Sequence, residues 1–183
     1  MRVVQVIVLF LSILLYSGCL TGDKDKNNSN KNVETYKVDL DGDFLPETIE
    51  IENRFETDKN SVIKITKGQK DKKKKAIECT FTIPGYYKKV EFTDLNDDGI
   101  KQMAVYYDTE GDYLNLAIYK LKNNKIIKMF SVSSNCDIEA DFTSLLARVK
   151  VGKSKDGSND CAGAVTAYWE VWVYTGEHFI KEK

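Results

Sequence analysis

The feature that most constrains the fold of this chain is an alternation of polar and apolar residues with a period of two. It runs through residues 48–52, 62–66 and 147–151, and residues 103–107 and 114–121 are richer in apolar and aromatic side chains. Successive side chains of a β-strand point to opposite faces of a sheet, so this alternation is typical of strands with one buried face. After residue 32, no window of about a dozen residues shows the helical period of about 3.6 residues. The pattern predicts an all-β domain.

Turn signals separate these predicted strands at short intervals. They include Pro84-Gly85, Asp156-Gly157 and Thr175-Gly176-Glu177, and the last of these closes a predicted C-terminal hairpin. Short connections between consecutive strands favour antiparallel pairing. We therefore predict antiparallel hairpin repeats that form a partial β-propeller-like stack of sheets, with a compact β-sandwich as the alternative.

The N-terminal segment differs in composition from the rest of the chain. Arg2 is followed by a mostly apolar run, Val3 to Tyr16, which is shorter than the roughly 20 residues that cross a bilayer core. Its length matches the apolar region of a signal peptide. The small residues Ser17-Gly18 then precede Cys19, and this ending resembles the lipobox of bacterial lipoproteins. The resemblance implies a lipoprotein signal peptide over residues 1–18 and acyl chains on Cys19, whereas an ordinary cleaved signal peptide is the alternative.

A polar segment follows the predicted lipidation site. Residues 21–32 contain no large apolar side chain, so they cannot offset the entropy lost on ordering. We predict a lipidated cysteine and flexible tether over residues 19–32 and one β-repeat domain over residues 33–183, which is long enough for a core of its own. The expected location is the bacterial cell envelope, with the protein lipid-anchored on the extracytoplasmic side of a membrane.

The cysteines and the expected compartment together predict one disulfide bond. Beyond Cys19 there are Cys79, Cys136 and Cys161, an odd number, so at most one internal pair forms. We predict the pair Cys136–Cys161 because both lie in loop-like stretches, although the sequence leaves the other pairings open. No C-x-x-C spacing is present, so a zinc site is not expected.

The charge and the catalytic residue types narrow the class of function. The formal net charge is −1, which does not favour a nucleic-acid partner. His178 is the single histidine, and no nucleophile motif accompanies it. We expect no enzymatic activity and a binding or scaffolding role toward a protein or an envelope polymer. The alternatives are a cell-envelope hydrolase with paired carboxylates and a surface adhesin or inhibitor.

Two short acidic segments are the strongest candidates for a binding site. The first acidic loop, residues 39–47, and the second acidic loop, residues 94–102, both carry oxygen-bearing side chains at positions one, three and five. Such clustered carboxylates repel one another unless a cation lies among them, and calcium takes six to eight oxygen ligands. We predict structural calcium. Its predicted ligands are Asp39, Asp41, Asp43 and Glu47 in the first loop and Asp94, Asn96 and Asp98 in the second.

The two loops and their flanking strands resemble the DxDxDG loops of FG-GAP/VCBS-type repeats, which occur in integrin-α-like β-propeller proteins. The resemblance covers roughly residues 36–121. It implies loops between the strands of successive blades and calcium with a structural role. Phe44 stands where the family has glycine, and Gln102 stands where an acid is expected. A third copy over residues 137–142 is an additional hypothesis.

Overall fold

The computed structural model describes residues 33–54, 59–70, 76–109, 113–143, 147–154 and 168–183. These residues form β-strands and contain no α-helix, which confirms the predicted all-β class. No helix in this part of the chain is long and apolar enough to span a membrane. The predicted signal peptide and tether, with Cys19, lie outside the described residues, as does Cys161.

Twelve strands are present in the described part of the chain. They are β1 (Val33–Val38), β2 (Glu47–Asn53), β3 (Asn60–Thr66), β4 (Glu78–Pro84), β5 (Tyr86–Thr93), β6 (Gln102–Thr109), β7 (Tyr113–Lys122), β8 (Lys125–Ser134), β9 (Ile138–Asp141), β10 (Arg148–Lys153), β11 (Tyr168–Tyr174) and β12 (Phe179–Lys181). Each alternating stretch named above falls on one of these strands. The predicted C-terminal hairpin is β11–β12, whose strands pair antiparallel.

The strands form three four-stranded sheets in chain order. The first sheet contains β1 to β4, the middle sheet β5 to β8 and the last sheet β9 to β12. Every pair of neighbouring strands is antiparallel and adjacent in sequence. A four-stranded meander is also the unit of a propeller blade. The prediction of antiparallel hairpins in a stack of sheets is therefore confirmed.

The middle sheet is buried on both faces. On β6, Val105 and Tyr107 join a core shared with the first sheet, whereas Ala104 and Tyr106 join a core shared with the last sheet. This double burial explains why residues 103–107 are apolar almost throughout and do not alternate. The outer sheets keep the alternation because only one of their faces is covered.

The chain passes from the first sheet to the middle sheet through Gly85, which has a φ of 126°. A Cβ atom at this residue would lie 1.9 Å from the backbone oxygen of Asp108. The hydroxyl of Ser61 donates to the Gly85 carbonyl oxygen at 2.9 Å and accepts the backbone N–H of Tyr87 at 3.0 Å. Glycine is needed here because the backbones of the two segments lie in direct contact.

Candidate metal site

The two acidic loops occupy equivalent places in consecutive sheets. The first connects β1 to β2 and the second connects β5 to β6, so each loop lies within one sheet and does not join successive sheets as the resemblance implied. The leucine at the second position of each loop is buried. Leu40 packs in the core between the first and middle sheets, and Leu95 packs in the core between the middle and last sheets.

In the first loop, aspartate side chains hold the backbone in a tight turn. The carboxylate of Asp39 accepts the backbone N–H groups of Gly42 and Phe44, each at 2.8 Å. Oδ1 of Asp43 accepts the N–H of Leu45 at 2.9 Å. The carboxylates therefore satisfy backbone donors that a loop of this shape leaves without a backbone partner.

The second loop repeats this bonding pattern. Asp94 accepts the backbone N–H groups of Asp98 and Gly99 at 3.2 and 2.7 Å. Oδ1 of Asp98 accepts the N–H of Ile100 at 2.8 Å. In both loops the first residue thus accepts the N–H of the sixth, and the fifth accepts that of the seventh, whereas the other donor to the first residue is Gly42 in one loop and Asp98 in the other.

The backbone conformations agree as well. Positive φ angles occur at the fourth and sixth positions of both loops: 77° at Gly42, 65° at Phe44, 57° at Asp97 and 83° at Gly99. A left-handed backbone conformation costs a non-glycine residue roughly 1–2 kcal/mol, and among these residues asparagine and aspartate tolerate it best. Phe44 is thus the most strained residue type among the four, as its place in the sequence predicted.

The ninth position distinguishes the two loops chemically. Oε2 of Glu47 accepts the backbone N–H of Leu40 at 2.7 Å, and Oε1 of Gln102 accepts that of Leu95 at 2.9 Å. Nε2 of Gln102 also donates to the carbonyl oxygen of Ile100 at 2.7 Å, so its amide is bonded at both ends. Glu47 is 0% exposed, and its Oε1 has no hydrogen-bond partner.

Three aspartates of the first loop form a carboxylate cluster, which does not include Glu47. One oxygen from each of Asp39, Asp41 and Asp43 lies within 4.8 Å of the others. Burial raises the pKa of Glu47, and the negative charges of Asp41 and Asp39 act in the same direction. A buried carboxylate oxygen without a donor costs free energy, which a bound cation would recover. The oxygen-only donor set and the orphaned atom both fit calcium.

Lys67 places a positive charge in the first loop. Its Nζ lies 2.5 Å from Oδ2 of Asp41 and 3.4 Å from Oδ2 of Asp43. The hydrogen bond to Asp41 raises the pKa of Lys67. Our sequence reasoning did not identify this residue, because the signal was not local. Lys67 follows Thr66, which pairs with Thr48 at the start of β2, so only the strand register places it beside the loop.

The second loop brings together its three predicted ligands but bonds them to the chain itself. Nδ2 of Asn96 donates to Oδ2 of Asp98 at 2.8 Å, and Asp94 accepts backbone N–H groups. The ninth position of this loop carries the neutral amide of Gln102. In the described structure, no buried carboxylate oxygen without a hydrogen-bond donor indicates a cation at the second loop. Calcium at this loop stays a prediction.

Both loops face one open cleft of about 530 Å³. Asp41 and Lys67 line it beside the first loop, Asp98 lines it beside the second, and Lys120 and Lys122 come from the end of β7. Acidic and basic groups thus meet in a single polar cleft, which suits a polar or charged ligand more than an apolar one.

The remaining predicted site residues have separate positions. Cys136 is disulfide-bonded, and Cys79 is the free cysteine of the described part. Because Cys161 lies outside that part, the pair Cys136–Cys161 stays a prediction. The third acidic copy is wrong as a loop, since residues 138–141 form strand β9 and pair with β10.

Comparison with known proteins gives little further guidance. No protein-family model matches the chain, and no curated protein matches it. Among solved structures, the chain is similar to the crystal structure of PliI-Ah, a periplasmic lysozyme inhibitor of I-type lysozyme from Aeromonas hydrophyla, with 15% sequence identity and a TM-score of 0.38. The similarity covers 54% of this chain and 86% of that one. A TM-score this low extends neither the fold nor the activity of that protein to this chain.

Proposed function

We propose that this chain is a lipid-anchored protein of the bacterial cell envelope, whose β-domain binds or scaffolds a partner and holds a structural calcium ion in its first acidic loop. The observation that carries the calcium proposal is the buried Oε1 of Glu47, which lacks a hydrogen-bond donor and belongs to the same short loop as three clustered aspartates. The proposal assigns no catalytic residue and no nucleic-acid partner.

Calcium in the first loop would stabilise the connection between β1 and β2. Asp39, Asp41, Asp43 and Glu47 are the residues that would hold it, because they bring four carboxylates to one short loop. The ion supplies the positive charge that relieves their mutual repulsion. The chain supplies the rigid turn, through the hydrogen bonds of Asp39 to Gly42 and Phe44.

Thermal melting tests the calcium proposal. We expect the full-length protein, purified in detergent, to melt at a higher temperature in millimolar calcium than in chelator, since a ligand of the native state adds about 2.7 kcal/mol at 100 times its Kd. Glu47→Gln is the matched control, because it keeps the acceptor for Leu40 and copies Gln102 of the second loop. An equal midpoint in calcium and chelator would refute the proposal.

The anchoring proposal is supported by the sequence of the N-terminus. A short apolar run, Cys19 after small residues, and a polar tether are the features that a membrane-anchored domain requires. Metabolic labelling with a fatty acid tests it, with Cys19→Ala as the control. We expect label on the wild-type protein alone, and equal labelling of both proteins would end the lipoprotein proposal.

The binding role is supported by the polar cleft beside the two loops. A protein or an envelope polymer with charged groups is the expected partner, because Asp98, Lys120 and Lys122 line this cleft. Pull-down from envelope extracts with the wild-type protein and a Lys120→Glu/Lys122→Glu variant tests the role. A partner retained equally by both would show that the cleft is not the binding surface, and measurable hydrolysis of an envelope polymer would favour the hydrolase alternative.

A further inference from the structure

We infer that Lys67 is an internal counter-cation of the first acidic loop, which must leave before calcium binds and which thereby lowers the calcium affinity of the loop. This inference rests on the proposed calcium site. It goes further, because it assigns a role to a residue outside the acidic segment and predicts how strongly the site binds.

The carboxylate oxygens of Asp41 and Asp43 differ in how far they are available to a cation. Oδ1 of Asp41 accepts the backbone N–H of Asp43 at 3.3 Å, and Oδ1 of Asp43 accepts that of Leu45 at 2.9 Å. In the described structure, no backbone N–H donates to the Oδ2 atom of Asp41 or Asp43, so these atoms are the more available ones. Lys67 contacts these same Oδ2 atoms, at 2.5 Å on Asp41 and 3.4 Å on Asp43. A calcium ion on the same atoms would be repelled by the ammonium, so the two cations compete for them.

The environment makes this competition stronger than at an open surface. The side chain of Lys67 is 24% exposed and that of Asp41 is 16% exposed, so bulk water screens the pair only in part. Most other ion pairs in the described part of the structure have more exposed partners, such as Lys64–Glu78 at 39% and 51%. Release of Lys67 therefore costs more than the loss of an exposed pair.

The contacts of Lys67 nevertheless do not satisfy every carboxylate oxygen of the loop. Its ammonium contacts Asp41 and Asp43, and Oε1 of Glu47 stays without a donor. A monovalent ammonium thus compensates only part of the negative charge of the loop. Since Lys67 also lines the cleft, its side chain has an open volume to enter on release.

The second loop offers a comparison within the same chain. There the Oδ2 atom of Asp98 is held by the neutral amide of Asn96, at 2.8 Å. No lysine or arginine of the described residues forms an ion pair with Asp94 or Asp98. Charge compensation by lysine is therefore specific to the loop that has four carboxylates.

Calorimetric titration with calcium chloride tests the inference on the full-length protein in detergent. We expect Lys67→Met to bind calcium about fivefold more tightly than wild type, the factor that corresponds to a partly buried ion pair. Lys64→Met is the matched control, because it removes the same charge from ion pairs with Glu50 and Glu78 without freeing a carboxylate of the loop. We expect this control to change the affinity by less than about twofold, as screening between separated charges requires.

Different outcomes would overturn the inference about Lys67 and the proposal of a calcium site. Equal calcium affinities of wild type and Lys67→Met, or equal gains in both lysine variants, would overturn the inference and leave the calcium site in place. No binding by either protein would overturn both. If Lys67→Met does not fold, Lys67→Arg provides the second test, since a guanidinium that bridges two carboxylates should weaken calcium binding. Tighter binding by Lys67→Arg would contradict the inference.

Discussion

Phe44 and Gly99 occupy the same position of the two acidic loops and have nearly the same backbone conformation, with φ angles of 65° and 83°. The side chain of Phe44 is 91% exposed, so packing does not compensate for its left-handed backbone. The N–H of each residue is bonded to the first aspartate of its loop. The first loop therefore keeps the same shape as the second, although phenylalanine disfavours the left-handed backbone.

Substitutions at this position of the two loops should change the stability of the protein in opposite directions. Phe44→Gly removes the left-handed strain and should raise the free energy of unfolding by about 1 kcal/mol. Gly99→Ala introduces the strain and should lower it by about 1 kcal/mol. No atom lies within 4 Å of a Cβ at Gly99, so this variant tests the backbone alone. Urea denaturation measures both, and equal midpoints for all three proteins would refute the shared loop geometry.

The passage between the first and middle sheets should tolerate no side chain at Gly85. A Cβ there would meet the Asp108 carbonyl oxygen at 1.9 Å, so we expect Gly85→Ala to lose about 3 kcal/mol or more of stability. Gly176→Ala is the control, because Gly176 also has a positive φ, of 96°, but has open space around it. Its expected loss is about 1 kcal/mol. Similar losses in both variants would contradict the close contact.

A partly buried tyrosine pair should make the domain sensitive to alkaline pH. The hydroxyls of Tyr36 and Tyr87 lie 3.0 Å apart, and both donate to the carboxylate of Glu34. Burial, followed by the hydrogen bond to Glu34, raises the pKa of Tyr36 from 10.0 to about 12. The folded state thus holds this proton more tightly than the unfolded state does. Its contribution to stability is complete below pH 10 and is lost as the pH rises toward 12.

Tyr36→Phe isolates this effect from the titration of the many lysines. At pH 8 we expect a loss of about 1 kcal/mol, the usual contribution of one hydrogen bond. Between pH 10 and 12, the stability of wild type should fall more steeply than that of the variant. Denaturation curves at several pH values measure the difference. Parallel pH profiles would show that the hydroxyl does not titrate as described.

Gln102→Glu should make the second loop dependent on a cation. The amide of Gln102 donates to the carbonyl oxygen of Ile100, and a carboxylate at this position would be repelled by that oxygen. We expect a loss of about 1–3 kcal/mol in chelator, as for a buried polar group left unpaired. Millimolar calcium should restore part of it. A variant as stable as wild type in chelator would contradict the bonding of Gln102.

The sequence predicted features whose causes are local. Alternation in residues 48–52 identified β2, since one face of that strand is buried and the other is only partly buried. Matching oxygen-bearing positions identified two loops that proved to share hydrogen bonds and φ angles. The third acidic copy failed because alternating acids also fit the exposed face of a strand, as on β9.

Features that depend on contacts distant in sequence were not predictable in the same way. The apolar run 103–107 indicated a strand, but only the stacking of three sheets showed that both of its faces are buried. Lys67 reaches Asp41 across 26 residues through the register of β2 and β3. Likewise, no sequence pattern shows that one oxygen of Glu47 would be buried without a donor.

Equilibrium dialysis with calcium on the wild-type protein and Glu47→Gln tests the central claim most directly. Our account predicts that wild type binds one calcium ion more per chain than the variant, since only Glu47 presents an orphaned carboxylate oxygen in the described structure. No bound calcium in wild type, or the same stoichiometry and affinity in both proteins, would contradict it.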